Sequence, residues 1–186
     1  MPLSLTGGRF KGTALRTPSG KDLTRPTSGK VRQALFNILR EEMAEPARFL
    51  DLYAGSGAVG LEALSRGCRA TLVESHAVAF RALDANCRLL LSRGADGESL
   101  EWLREDALKF CGRAASEGMR FQVVFADPPF SRDFTGLWER LRPLVAEGGV
   151  GVVQFPRRNP PDFAAGASRI YDYGESSLAV FRAGHC

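Results

Sequence analysis

Histidine is nearly absent from this chain: of 186 residues only His76 and His185 are histidine. The four cysteines, Cys68, Cys87, Cys111 and Cys186, are scattered and include no CxxC pair. No metal site or disulfide framework is therefore expected, and the cysteines read as free thiols of a reducing compartment. No apolar run reaches the roughly 18 residues of a membrane span. The opening "MPLSLTGGRFKG" lacks the apolar core of a signal peptide, so a cytoplasmic location is expected. Internal repeats and low-complexity tracts are missing too, which excludes solenoid architectures. With 44% hydrophobic and 25% charged residues, the composition is that of one globular domain able to bury a full core.

Acids are scarce in one region. Residues 1–40 carry eight basic side chains (Arg9, Lys11, Arg16, Lys21, Arg25, Lys30, Arg32, Arg40) against a single acid, Asp22. The rest of the chain is slightly acidic, with 17 basic and 20 acidic residues. The positive excess is thus confined to an N-terminal arm, an asymmetry that points to a polyanionic partner such as nucleic acid. A solvated leader is the simpler alternative.

The arm opens with short apolar pieces separated by Gly, Thr and Pro, the pattern of a small hairpin and loops. "TSGKVRQALFNILREEM" then places Val31, Leu35, Ile38 and Leu39 at helical spacing, with Thr27 or Ser28 as N-cap. After Pro46 strands and helices alternate. "RFLDLYAG", "ATLVE", "SLEWLRED", "FQVVFADPPF" and "VGVVQF" read as strands. Between them "AVGLEALSRG", "AVAFRALDANCRLLLSRG", "ALKFCGRAASEG" and "TGLWERLRPLVAEGG" read as helices. Such alternation predicts a Rossmann-like, doubly wound, mainly parallel α/β sheet covered on both faces. "SRIYDYGESSLAVFR" reads as two more strands turning at Gly174, an antiparallel pair at the sheet's end. Two regions are expected: residues 1–45, a basic arm and helix, and residues 46–186, the α/β domain.

Sheets of this kind bind ligands where strands end. The first strand runs into "DLYAGSGAVG", in which Gly55, Gly57 and Gly60 match G-x-G-x-x-G, and Glu74 follows nineteen residues after Gly55. A dinucleotide site fits this pattern, as does a tight strand–helix turn. Two acids favour a different adenosine ligand. Asp51 lies inside the strand, where its carboxylate could face the cationic amino-acid end of S-adenosylmethionine. Asp106 ends the third strand, where it could accept from an adenine amino group while Glu74 takes the ribose. Asp127 continues the row on the fourth strand, followed by Pro128, Pro129 and Phe130. The prolines keep carbonyl acceptors but carry no N–H, and with a carboxylate and a ring face they suit a planar group rich in N–H donors. Phe130 could instead be core, but polar Ser131-Arg132-Asp133 beside it suggests an exposed loop.

"LDLYAGSGAVGLEALSRG", "VE" and "DPPF" in this order resemble the class I S-adenosylmethionine-dependent methyltransferases that act on exocyclic amines. With "GGRFKG" and "RPTSGKVRQALFNIL" at the N-terminus, the chain more closely resembles the RsmD family of bacterial 16S rRNA guanine-N2 methyltransferases. The resemblance covers nearly the whole chain and implies residue roles. Asp51, Tyr53, Ala54, Gly55 and Gly57 would line the methionine end of the cofactor, Glu74 the ribose, and Asp106 with Ala107 the adenine. Asp127 and the Pro128 carbonyl would accept from the guanine 2-amino group, and Phe130 would stack on the base. Arg9, Lys11, Arg25, Lys30 and Arg32 would hold RNA phosphates. It also implies a metal-free reaction on 16S rRNA within an assembling or assembled small ribosomal subunit; a monomeric enzyme is expected. Three positions depart from the family pattern: Tyr53 where many members have Phe, Ser4 at an often basic position, and Gln154 where many carry an acid. Rival readings are an amino methyltransferase for adenine or a glutamine side chain, a dinucleotide-dependent oxidoreductase, and a non-catalytic RNA-binding module. The oxidoreductase lacks a candidate hydride-transfer partner, and the binding module leaves Asp-Pro-Pro-Phe unexplained.

Overall fold

The computed structural model describes residues 3–18, 28–43, 47–131 and 133–182. Its elements in chain order are α1 (Gly29–Ile38), β1 (Arg48–Leu52), α2 (Ala58–Ser65), β2 (Arg69–Val73), α3 (Ala77–Ser92), β3 (Leu100–Leu103), α4 (Ala107–Ser116), β4 (Phe121–Ala126), α5 (Leu137–Leu141), β5 (Val145–Pro156), β6 (Arg169–Tyr173) and β7 (Ser176–Arg182). The strands form one seven-stranded sheet in the order β3-β2-β1-β4-β5-β7-β6. β3 through β5 pair in parallel, and β7 runs antiparallel to both of its neighbours. The doubly wound sheet with an antiparallel C-terminal pair is the expected architecture. Gly174 turns between β6 and β7 with φ +63°.

Both faces of the parallel part are covered, which is why its strands are apolar without alternation. On one face Phe110 of α4 with Leu137 and Leu141 of α5 packs on Val124, Val153 and Phe155. On the other, Leu35 and Phe36 of α1 and Val59 of α2 pack on Phe49, Val123, Phe125 and Val152. Leu61 of α2 and Leu83 and Leu90 of α3 meet Leu72 there, together with Leu5, Phe10 and Leu15 of the N-terminal arm. The described part of the arm is therefore docked. Its hairpin closes through Leu5 N to Thr13 O at 3.0 Å and Leu15 N to Leu3 O at 2.8 Å, and it shares a core with the α/β domain.

Two helices are shorter than their sequence pattern. α1 starts at the Ser28 cap, whose Oγ accepts from Val31 N at 3.3 Å, and ends at Ile38, before the acids; Thr27 lies outside the described residues. The segment "TGLWERLRPLVAEGG" supplies only a five-residue α5, followed by a 3-10 turn at Arg142–Leu144. Pro143 is the reason, since it has no N–H to continue the ladder and disfavours helical geometry before it. Val145 already pairs with Phe121, and a register shift on β4–β5 resumes the pairing at Val123 with Val150. β5 is longer at its start than the expected "VGVVQF".

Candidate active site

Strand order reverses between β1 and β4, the neighbours that grow outward in opposite directions. A crevice at the carboxyl ends of these strands is where such sheets bind ligands. β1 leaves the sheet through Tyr53, which adopts a left-handed φ of +61° although it is not glycine. Conformations of this kind cost free energy and concentrate at functional sites. Gly55 (φ +58°) and Gly57 (φ +82°) complete the turn into α2.

The two glycines differ in what they allow. A Cβ added to Gly55 would meet nothing within 4 Å, whereas one on Gly57 would lie 2.5 Å from Leu83. Gly55 therefore has open space beside its backbone, while Gly57 is small so that the loop can close on α3. Gly57 is also the N-cap of α2 and has no side chain to offer its amides. Asp51 takes over that task from β1: its Oδ2 accepts from Gly60 N at 2.8 Å.

Asp51 is only 1% exposed. Its burial pushes the carboxyl up from an ordinary 3.8 to about 8; the Gly60 hydrogen bond opposes this, and the nearby Asp127 and Glu74 charges reinforce it. A carboxyl raised on folding contributes stability below about pH 4 that is lost as the pH climbs toward 8. Asp51→Asn, which keeps an acceptor for Gly60, is expected to melt higher than the parent at pH 8 and nearly with it at pH 4. Parallel melting temperatures across that window would show that the carboxylate carries no such cost.

Glu74, just past β2, closes the loop from the other side. Its Oε2 accepts from Gly55 N at 2.8 Å and its Oε1 from His76 N at 2.6 Å. Asp106 caps α4, with Oδ1 accepting from Leu108 N at 3.0 Å and Lys109 N at 3.2 Å. Ala107 begins α4 with a buried side chain, so what it can offer a ligand is backbone. Ala54, half-buried, donates its N–H to Val73 O at 3.0 Å, tying the loop to β2. Asp51, Glu74 and Asp106 thus stand along one edge of the sheet, and each fixes backbone there.

Asp127 follows β4, its amide reaching Leu52 O at 3.3 Å, so it sits beside the end of β1. Pro128 is buried and Pro129 half-buried, while Phe130 is 43% exposed. The ring is therefore no core residue; it stands in the open, three residues after Asp127 in the chain.

The basic arm divides into unlike parts. Arg9 and Lys11 are exposed at the hairpin tip, where Arg9 N donates to Ser65 O at 2.6 Å, at the far end of α2. That end is about 12 Å from the glycine loop along an eight-residue helix. Lys30 is exposed in the first turn of α1. Arg25 lies outside the described residues. Arg32 corrects the expectation of a phosphate contact: it is 1% exposed, its Nε lies 3.4 Å from Glu62 Oε2, and its Nη2 donates to Ser4 O at 2.6 Å. A guanidinium buried against a carboxylate cannot also meet a phosphate in this conformation.

Asn86 belongs to no motif in the sequence. It is fully buried on α3, where Nδ2 donates to Ser56 O at 2.9 Å and to Arg16 O at 3.0 Å, and Oδ1 accepts from Arg16 N at 2.8 Å. One amide so joins the glycine loop to the arm. A lone Asn within an apolar helical stripe was its only signal.

The seven-stranded order, the glycine turn after β1 and the acids at successive strand ends define the class I methyltransferase fold, and solved structures of methyltransferases share it. Within that class the chain belongs to the family described as conserved hypothetical protein 95, whose model matches residues 3–182. It is 36% identical over 148 residues to ribosomal RNA small subunit methyltransferase D of Escherichia coli, covering 79% of this chain and 68% of that one. A putative rRNA methyltransferase of Bacillus subtilis is 34% identical over 130 residues, 69% of this chain and 67% of its own. Among solved structures, a hypothetical protein of Thermus thermophilus superposes with a TM-score of 0.82 at 35% identity, covering 96% of this chain and 98% of that one. A putative methyltransferase of Escherichia coli gives 0.78 at 30% identity, covering 97% of both.

Proposed function

We propose that the chain transfers a methyl group from S-adenosylmethionine to the exocyclic N2 of a guanine in 16S rRNA of the small ribosomal subunit. The observation that carries this reading is the exposed Phe130 next to Asp127 and Pro128, at the edge where Gly55 offers open backbone. The relatives named as rRNA methyltransferases support the substrate class.

The residues present fit the cofactor. Gly55 leaves room for close approach, Glu74 and Asp106 supply carboxylate acceptors for a ligand rich in N–H and O–H, and the buried Asp51 holds the start of α2 in place through Gly60. When bound, the cofactor supplies an electrophilic methyl group on a sulfonium. The chain's own part is to aim the nucleophile. A guanine amino nitrogen is a poor nucleophile because its lone pair is delocalised into the ring. Accepting its two hydrogens at Asp127 and at the Pro128 carbonyl favours a pyramidal nitrogen and turns the lone pair away from the ring. Asp127 also stabilises positive charge developing on that nitrogen, so complete proton abstraction is not required. A base must leave its stack to reach the crevice, and Phe130 replaces part of the lost stacking.

Labelled methyl transfer to small subunits lacking the modification, followed by nucleoside analysis, tests the reading: N2-methylguanosine is expected. Label on adenine or on protein would overturn the acceptor. Phe130→Ala is expected to lower kcat/KM for the subunit roughly tenfold to a hundredfold, with the melting temperature unchanged because the ring is exposed. An unaffected rate would remove Phe130 from the base-binding surface.

A further inference from the structure

β5 is apolar throughout its middle except at Gln154, which is 6% exposed. Its Oε1 is buried and has no hydrogen-bond partner among the described residues. An unpaired buried acceptor weakens a fold, and an apolar side chain of similar size would remove the cost. Its position in the sheet gives the atom a use. Ala126 of β4 pairs with Val153 of β5, so the register carried one residue further sets Asp127 opposite Gln154. Phe125 and Val152 both pack toward α1, while Ala126 and Val153 pack toward α4. Pleating therefore turns Asp127 and Gln154 to the same face, on strands about 4.8 Å apart. Asp51, two strands from Gln154, faces α2 on that side through Gly60.

We infer that Gln154 reads the target base: its amide oxygen accepts the N1–H of guanine while Asp127 and the Pro128 carbonyl hold the adjacent 2-amino group. The inference rests on the guanine reading proposed above and extends it to specificity. On the Watson–Crick edge of guanine, N1–H and the 2-amino group are neighbouring donors, so a row of acceptors matches them. Adenine presents a lone pair at N1 beside its amino group; an amide oxygen aimed there is repelled, and to meet adenine the amide would have to turn over and present its N–H instead. Flipped bases are commonly selected by hydrogen bonds to this edge, and a site built around such a bond rejects a base that cannot make it.

The test compares the parent, Gln154→Met and Gln154→Glu on small subunits lacking the modification. It reads N2-methylguanosine formation, KM for the subunit, cofactor affinity and melting temperature. Gln154→Met should reduce kcat/KM for the subunit roughly tenfold to a hundredfold, leave cofactor affinity unchanged, and melt at or above the parent. Gln154→Glu, which keeps an acceptor oxygen in either protonation state, should stay within about threefold of the parent. Parent-like transfer by Gln154→Met would overturn the inference. So would equal losses in both variants, or a fall in melting temperature and cofactor affinity that tracks the loss of transfer. A parent enzyme that forms no N2-methylguanosine would instead bring down the guanine reading itself, and is recognised before any variant is compared.

Discussion

Asp127→Ala is expected to lower methyl transfer by about a thousandfold or more while leaving cofactor binding within a few-fold of the parent. Asp127 lies just beyond β4, and its backbone is held by Leu52 O at 3.3 Å. On the reading proposed above, truncation leaves the backbone at the end of β4 in place and removes one of the two acceptors assigned to the amino group. The charge that stabilises the developing cation is lost with it. Asp127→Asn retains one acceptor oxygen but no charge, and should fall on the order of a hundredfold. The neighbouring acid provides an internal check. Asp127 is among the charges that raise Asp51, so either variant should bring the Asp51 carboxyl down and lessen its cost near pH 8. Single-turnover transfer, cofactor titration and melting at pH 8 separate the possibilities. Joint loss of transfer and cofactor binding would make Asp127 part of the cofactor cradle, and leave the orienting role without support.

The edge of the sheet was readable from the sequence because strand ends are punctuated: Gly55 and Gly57 after β1, Glu74 after β2, Asp106 before α4, and two prolines after Asp127. Each change from apolar run to Gly, Pro or acid is local, so spacing alone placed it. What spacing could not supply is direction. Asp51 reads as a ligand contact, yet its Oδ2 caps α2 because the residue that should do so is Gly57. Gly57 and Gly55 look alike in the motif, and only the neighbourhood of Leu83 tells packing from open approach. The short α5 was legible in Pro143, but the helical spacing of Leu137, Leu141 and Leu144 outweighed it. Arg32 escaped the sequence for a related reason. In a region with eight basic residues every cation looks solvent-facing, and its partner, Glu62, lies thirty residues away on another helix.

That pair carries the second large effect: Glu62→Ala should destabilise the protein by about 3–5 kcal/mol. For a chain of this size the loss corresponds to roughly 6–20 °C in melting temperature. Glu62 is fully buried on α2. Its Oε2 lies 3.4 Å from Arg32 Nε and accepts from Thr6 N at 3.2 Å, while its Oε1 accepts from Arg66 Nη2 at 2.8 Å and from the Thr6 hydroxyl. One carboxylate so joins α2 to α1 and to the N-terminal hairpin. Its removal leaves the Arg32 guanidinium in the core without its counter-charge, which is far costlier than the pair was worth. Arg66→Ala should cost less, because that side chain is 29% exposed. A paired replacement, Arg32→Met with Glu62→Leu, should recover part of the loss, since no guanidinium at position 32 is then left alone in the core, while Arg66 and Thr6 still lack the carboxylate. α1 begins at the carboxyl edge: its far end meets the amino edge, where Arg182 at the end of β7 donates to Glu42 Oε1 at 2.8 Å. Loosening α1 therefore disturbs the rim that Lys30 occupies, and Glu62→Ala should weaken subunit binding more than cofactor binding. Thermal melts and paired titrations decide the matter. A loss below about 1 kcal/mol, together with a salt dependence of RNA binding that flattens in Arg32→Ala, would return Arg32 to the phosphates.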